Sequence, residues 1–158
     1  MNIARRITGD RVSVPRLLLT LAFMTFIWGN SMIPAEGSGA MSMGVLGMIH
    51  EVLRSWGLPY AWVSEFLVRK TAHFAEYMIL GLLASQAFDP GRKVSRVSLV
   101  ATALLCAAVP SIDETIQLFV PGRSGQVTDV LLDCCGAATG IALRTICVRA
   151  LPCSSARR

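Results

Sequence analysis

The sequence predicts an all-α integral membrane protein, a four-transmembrane-helix bundle with an extracytoplasmic amphipathic helix between the first and second spans. Its 158 residues are 53% hydrophobic and 16% charged, and the mean hydropathy of +0.55 is too high for an ordinary soluble domain. Four stretches approach the roughly 20 apolar residues that a helix needs to cross a bilayer. Basic residues gather at alternate ends of these stretches, as they do in multi-pass proteins.

A single membrane domain over residues 1–158 is expected, with spans at residues 17–33, 68–88, 97–120 and 128–151. The first span follows four arginines and looks like the apolar core of a signal peptide. However, the cleavage pattern after it is poor and three more spans follow, so we expect an uncleaved helix. It ends before Pro34, which cannot continue the helical hydrogen bonds.

Residues 41–56 form the predicted amphipathic helix. Apolar side chains recur there at helical spacing, but the segment is too short and too charged to cross a bilayer. We expect a flexible stretch at residues 36–39 before it, and Gly57 and Pro59 to end it. Two placements are open, because the helix either lies in the interface on the outer side of the membrane or packs over the bundle mouth as a lid.

The third and fourth spans each carry a feature that affects packing. Pro110 removes one backbone hydrogen bond and permits a kink one turn before Asp113. Gly136 and Gly140 have the spacing that lets a neighbouring helix approach closely. Because Asp133 lies on the same helix face, we expect that face to pack tightly at one end and to be acidic at the other.

The net charge of +5 predicts topology rather than nucleic-acid binding. Eleven of the 15 basic residues lie on one side of a four-span arrangement, so the positive-inside rule places both termini in the cytoplasm. These residues are Arg5, Arg6, Arg11, Arg16, Arg92, Lys93, Arg96, Arg144, Arg149, Arg157 and Arg158. A nucleic-acid partner is not expected, because no basic patch is combined with groove-reading or aromatic elements. The five cysteines lack a C-x-x-C pair, so we expect neither a disulfide framework nor a metal knuckle.

Polar and ionisable residues gather at the span ends that lie on the outer side. Charge inside hydrocarbon is expensive, so such residues pair with each other or line an aqueous cavity. A helical rise of about 1.5 Å per residue brings them to one depth in the outer half of the bilayer. The predicted polar layer consists of Lys70, His73, Glu76, Tyr77, Asp113, Glu114, Gln117, Arg123, Asp129 and Asp133.

Three members of the layer, His73, Glu76 and Glu114, are candidate catalytic acid/base residues, because imidazole and carboxyl groups can exchange protons with a substrate. Glu114 is preferred to Asp113 for the interior, because it stacks with Pro110 and lies three residues before Gln117. No metal and no other cofactor is expected, since the His73–Glu76 pair has no counterpart on another helix.

The remaining members are candidate ligand-binding residues. Arg123 lies in a Pro-Gly-Arg-Ser-Gly turn above the acids, which suits recognition of a phosphate or a carboxylate. Two of the others have a structural alternative. Lys70 can instead be an anchor that reaches the headgroups, and Asp129 can be an acid that complements the dipole of the fourth helix.

Two motifs together resemble the VanZ-like family, which is named for a teicoplanin-resistance protein. The first motif is Arg69-Lys70-x-x-His73-Phe74-x-Glu76-Tyr77, and the second runs from Asp113-Glu114-x-x-Gln117 to Gly140. The resemblance covers residues from about 30 to 140. It implies a small multi-pass protein of the bacterial cytoplasmic membrane that is linked to the cell envelope and, in some members, to antibiotic resistance.

Three functions of different classes are open. In the first, Arg123 and Lys70 bind an anionic envelope group, such as a lipid-linked precursor phosphate or a cell-wall peptide carboxylate, and Gln117 orients it. In the second, His73 or Glu114 acts as general base on a lipid-phosphate or acyl linkage, although no serine or cysteine nucleophile is placed beside His73. In the third, the layer is a polar clasp that joins four helices.

Overall fold

The computed structural model describes residues 12–89 and 95–150. These ranges contain no strand and five helices, which are α1 (Val14–Ser31), α2 (Ala35–Ser55), α3 (Glu65–Phe88), α4 (Arg96–Gln117) and α5 (Val127–Ala150). Local signals explain two of the starts. A proline lies in the first turn of α1, and the Ser64 side chain accepts a hydrogen bond from the Leu67 N–H at 3.3 Å at the start of α3. The predicted all-α class is confirmed.

Helices α1, α3, α4 and α5 pack around a small apolar core. Its fully buried side chains include Ile27, Tyr77, Leu80 and Val109. Within the described residues, the most extensive contact joins α3 to α5. The core is thin because most large apolar side chains of these helices point outward, as expected for helices that face lipid.

The contact between α3 and α5 depends on glycine. A Cβ atom added at Gly136 would lie 2.5 Å from the Phe74 carbonyl oxygen, and one added at Gly140 would overlap the Met78 carbonyl oxygen. From the other side, a Cβ at Gly81 would overlap the Ala137 backbone. The predicted close approach at the Gly136/Gly140 spacing is therefore confirmed, and the partner helix is α3.

Two helices of the described chain, α4 and α5, are by themselves long and apolar enough to cross a membrane. Helices α1 and α2 are long and apolar enough only when they are taken together, and the pair is bent by 105°. If the pair is one broken or re-entrant span, the number of spans is three. Helix α3 is 24 residues long but is not among them, because its first half carries the polar layer. Length and composition thus support two or three spans, and the four-span arrangement stays a prediction.

Helix α2 begins earlier than the sequence predicts. The stretch at residues 36–39 was expected to be flexible, but it forms the first turns of α2. Pro34 precedes the helix and accepts a hydrogen bond from the Ser38 N–H at 3.1 Å, while the Ala35 N–H donates to the Pro121 carbonyl at 3.2 Å. These bonds stabilise a start that glycine-rich sequence alone disfavours. The predicted stop is confirmed, since α2 ends at Ser55 and Gly57 has a φ of +69°.

The helices α1, α3, α4 and α5 alternate in direction, so their connections lie at two opposite ends of the bundle. We call the end that carries the polar layer the site end. The site end contains the connections at residues 32–34, 56–64 and 118–126. At the opposite end, the Ser13 N–H donates to the Ala87 carbonyl at 2.9 Å, and the Ser95 N–H donates to Asp89 Oδ2 at 2.7 Å. Tertiary hydrogen bonds therefore hold the opposite end together, while the polar layer lies at the site end.

Arg144, one of the basic residues used for the predicted topology, is buried within α5 at 5% exposure. Its Nη2 donates to the Asp89 carbonyl oxygen at the opposite end of the bundle. Arg144 therefore also joins α5 to the end of α3, and the topology stays a prediction. Seven of the other basic residues used for topology, and Cys153, lie outside the described residues.

Candidate functional site

The polar layer predicted from the sequence is brought together at the site end. Its most buried carboxyl groups come from α4 and α5, where Asp113 and Asp133 are 0% exposed and Glu114 is 5% exposed; Gln117 of α4 and Tyr77 of α3 are buried beside them. Carboxylates this deeply buried need compensation from hydrogen bonds or from positive charge. The partners of the buried carboxyl groups differ from one residue to the next, and these differences define the site.

The centre of the layer is the His–Asp–Asp cluster, formed by His73 of α3, Asp113 of α4 and Asp133 of α5. One ligand-type atom of each residue lies within 4.8 Å of those of the other two. His73 Nδ1 is 3.8 Å from Asp133 Oδ1, which is too long for a hydrogen bond. In the described chain, neither Asp133 oxygen nor His73 Nδ1 has a hydrogen-bond partner. The buried Tyr77 lies one turn below His73 on α3.

Gln117 holds Asp113 in position. Its Nε2 donates both to Asp113 Oδ2 and to Ser31 Oγ, each at 3.2 Å. This leaves Asp113 Oδ1 without a partner among the described residues. Gln117 therefore orients Asp113 and links α4 to the end of α1, and its predicted role in ligand binding stays a prediction.

The two neighbouring acids of α4 have different roles, and the sequence-based preference for Glu114 as the interior acid is not what the structure shows. Glu114 Oε2 accepts a hydrogen bond from the Gln126 N–H at 2.7 Å, so this carboxylate points to the loop that precedes α5. Asp113 points into the cluster. The reason is the helix turn of about 100° per residue, which sends adjacent side chains to different neighbours. Pro110, Asp113 and Gln117 share the inner face.

Lys70 pairs with Asp129, which lies in the first turn of α5. The Lys70 ammonium also lies 5.3 Å from the centre of the Phe66 ring. The pair links α3 to α5 above the His–Asp–Asp cluster, with side-chain exposures of 25% for Lys70 and 17% for Asp129. This contact favours an ion pair over the headgroup-anchor alternative for Lys70.

Arg123 lies over the end of α1. Its Nε donates to the Ile33 carbonyl at 3.0 Å and its Nη2 donates to the Asn30 carbonyl at 3.2 Å. The turn that holds it includes Gly122, whose φ is +73°. Burial lowers the pKa of the Arg123 guanidinium, as does the nearby Arg69, while the surrounding carboxylates oppose both effects. Glu76 joins the same group, because its Oε1 accepts from Asn30 Nδ2 at 3.3 Å.

Two small cavities open onto this layer, and both are lined by Arg69 and His73. The first, of about 120 Å³, lies between α1, α2 and α3 and is lined also by Asn30, Ser31, Glu76 and Arg123. The second, of about 270 Å³, lies between α3 and the loop before α5, and its polar lining includes Lys70, Gln117, Gln126 and Asp129. His73 is thus the one cluster member that lines both cavities.

A third, apolar groove of about 580 Å³ runs between α2 and α3. It shares Met41, Ser42 and Ala72 with the first cavity, so the polar cavity and the apolar groove are adjacent. Arg69, Asn30 and Ser31 are not among the site residues predicted from the sequence. The signal for Asn30 and Ser31 is their position at the outer end of the first span, and the signal for Arg69 is its place beside Lys70.

Comparison with protein families matches residues 16–148 to the model of the VanZ/LLP1 family. No curated protein and no solved structure gives a match. The matched range includes every residue of the layer described above.

Proposed function

This chain belongs to the VanZ/LLP1 family, and from that premise we propose that it is a multi-pass bacterial cell-envelope protein whose site end binds the anionic group of a lipid-linked or cell-wall precursor. Such a function is compatible with a contribution to glycopeptide resistance of the teicoplanin type. The proposed ligand has an anionic head and an apolar tail. The two adjacent cavities described above would hold these two parts separately.

The observation that carries this proposal is the contact between the polar cavity and the apolar groove. Arg69 and Arg123 line the polar cavity, and the groove that begins at Met41 and Ala72 is lined almost entirely by apolar side chains. A soluble anion would need only the polar cavity, and a plain hydrocarbon would need only the apolar groove. An amphiphile with a phosphate or carboxylate head fits both.

Arg69 is the cation best placed to bind the head group. In the described part of the chain it makes no ion pair or hydrogen bond, whereas Lys70 is paired with Asp129. Arg69 is also exposed, so it can reorient toward a ligand without leaving a buried partner unpaired. Arg123 uses two of its nitrogens on the Asn30 and Ile33 carbonyls and offers the third.

The proposed topology has α1, α3, α4 and α5 crossing the membrane, the site end outside and both termini in the cytoplasm. Helix α2 then lies at the outer surface, which agrees with its lack of buried residues. Reporter fusions at Gly91 and Gly125 are expected to give cytoplasmic and external signals, respectively. An external signal at Gly91 would refute the arrangement.

The ligand proposal is tested by native mass spectrometry of the full chain purified from bacteria with its bound lipids. We expect wild type to retain a polyprenyl-phosphate species, and Arg69→Gln to lose it. Arg54→Gln is the matched control, because Arg54 is exposed in the last turn of α2 and lines none of the cavities described above. Wild type without a bound anionic lipid, or equal retention by Arg69→Gln, would refute the proposal.

A second candidate function is membrane-embedded general acid/base catalysis on a lipid-phosphate or acyl linkage. It is favoured by His73, which faces both cavities and has a carboxylate 3.8 Å behind it. His73→Gln should then abolish turnover of a lipid-linked substrate while the membrane-inserted protein level stays normal. If the level falls in step with envelope function, the layer is a structural clasp and neither proposal holds.

A further inference from the structure

We infer that the His–Asp–Asp cluster is a binding site for one divalent transition-metal ion, with Zn²⁺ or Mn²⁺ as the best-suited ions. The site lies behind the anion-binding cavity and does not depend on which ligand that cavity holds. Its three residues come from three helices, α3, α4 and α5, that pack against one another. A site built on rigid elements holds its ligands in place before the ion arrives.

The first argument is the unmet hydrogen-bonding capacity of Asp133. Its side chain is 0% exposed, and neither of its oxygens has a hydrogen-bond partner among the described residues. A buried carboxylate without a partner is strongly destabilising, so something must occupy the space it faces. The other unpartnered buried atoms nearby are Asp113 Oδ1, His73 Nδ1 and the Tyr77 hydroxyl. Asp133, Asp113 and His73 therefore bring unsatisfied ligand-type atoms to within 4.8 Å of one another.

The second argument is charge. The cluster contains two carboxyl groups, and within the described residues no lysine or arginine forms an ion pair with either of them. Lys70 pairs with Asp129 instead, and Arg69 is exposed at the cavities rather than paired with the cluster. A divalent cation would neutralise both carboxylates at once. Protonation of the carboxyl groups is the competing explanation, and it predicts a cluster with no affinity for metal. The two explanations are therefore separable by direct measurement.

The third argument is the ligand set. One imidazole nitrogen and two carboxylate oxygens suit first-row transition ions better than Ca²⁺ or Mg²⁺, which prefer oxygen ligands only. Ligand atoms around zinc lie roughly 3.4 Å apart, because Zn–N and Zn–O bonds are about 2.1 Å long. The cluster atoms lie within 4.8 Å of one another, so side-chain movements of about 1 Å would close them onto an ion.

The surroundings also fit a metal site. Gln117 Nε2 donates to the second oxygen of Asp113 at 3.2 Å, which is the outer-shell contact that orients a ligating carboxylate. Three protein ligands leave at least one coordination position open. Because His73 borders both cavities, that position can be reached by water or by a ligand oxygen.

The test begins with the metal content of the full chain, purified in detergent without chelators and measured by elemental mass spectrometry. We expect about one equivalent of zinc or manganese per chain in the wild type. After treatment with a chelator, titration with Zn²⁺ should raise the melting temperature, and Co²⁺ should give a visible absorption band of the bound ion.

Asp133→Asn is expected to lose this binding by more than the roughly 10- to 100-fold that loss of an outer-shell partner causes. Glu51→Gln is the control that also removes one carboxylate, because Glu51 is exposed on α2 and lies outside the cluster, and it should keep the metal. His73→Gln is the second variant if Asp133→Asn does not fold, since it leaves both carboxylates in place.

The inference is overturned if chelator-treated wild type shows no thermal shift and no Co²⁺ spectrum, which is the result that protonated carboxyl groups predict. It is also overturned if Glu51→Gln and Asp133→Asn lose metal equally. Lipid retention is measured separately by the Arg69→Gln comparison. A chain that binds metal but no lipid would thus refute the proposed ligand and leave the metal site intact.

Discussion

The glycine contact between α3 and α5 makes a sharp prediction about stability. In Gly136→Ala, the added Cβ would lie 2.5 Å from the Phe74 carbonyl oxygen and 3.2 Å from its carbonyl carbon. Both are backbone atoms, so no side-chain rotation relieves the overlap. The two helices must separate by roughly 1 Å, and overpacking of this kind costs about 1–3 kcal/mol of the free energy of unfolding. The folded-to-unfolded ratio should fall by roughly 5- to 140-fold.

The assay is loss of helical circular dichroism in mixed micelles as the fraction of sodium dodecyl sulfate increases. Gly29→Ala is the matched control, because a Cβ at Gly29 has no atom within 4 Å. Replacing a helical glycine without a clash should be neutral, or stabilising by about 0.5–1 kcal/mol. If Gly136→Ala and Gly29→Ala unfold at the same detergent fraction, the α3–α5 spacing is not limited by these backbone contacts.

The same substitution should affect the site, because Gly136 lies one turn after Asp133 and Phe74 follows His73. Separating α3 from α5 would lengthen the 3.8 Å distance between His73 Nδ1 and Asp133 Oδ1. Metal affinity should therefore fall along with stability in Gly136→Ala. Unchanged Zn²⁺ affinity in a destabilised variant would show that the cluster tolerates helix movement.

Three further predictions concern single polar contacts of the layer. Gln117→Leu removes the donor that orients Asp113 and should weaken Zn²⁺ binding by about 10- to 100-fold in a competition assay; unchanged affinity would contradict its role as a positioning residue. Arg123→Lys cannot reproduce the geometry of the two hydrogen bonds to the Asn30 and Ile33 carbonyls, and should cost about 1–3 kcal/mol in the detergent titration; wild-type stability would show that the planar guanidinium is not needed. A double-mutant cycle on Lys70 and Asp129 should give a coupling of about 0.2–1 kcal/mol, because both side chains are partly exposed; a coupling above about 3 kcal/mol would mean that the pair behaves as a buried one.

The helical class and most helix positions follow from local sequence signals. Apolar runs bounded by turn residues predict α1, α3, α4 and α5, and Gly57 predicts the end of α2, because these signals act over a few residues. The start of α2 could not be predicted in this way. Gly37, Ser38 and Gly39 are poor helix formers, and a hydrogen bond from the Ala35 N–H to the Pro121 carbonyl, far away in the sequence, contributes to holding that start.

The depth of a residue along the helix axis can also be predicted from the sequence. Because every residue advances the helix by a constant rise of about 1.5 Å, residue number alone places His73, Asp113 and Asp133 in one layer at the site end. The spacing of Gly136 and Gly140 likewise predicts a close helix contact, although it does not name the partner helix. Both inferences need only positions along single helices.

Direction around each helix axis and the identity of neighbours were decided by the tertiary structure. Packing turns Asp113 toward His73 and Asp133 and turns Glu114 toward the Gln126 N–H, a choice between adjacent residues that periodicity leaves nearly balanced. It also buries Arg144 within α5, which its position among the basic residues near the chain end does not predict. The physical reason is that distances between helices depend on how whole surfaces fit together, and a cluster assembled from three helices has no signature within any one of them.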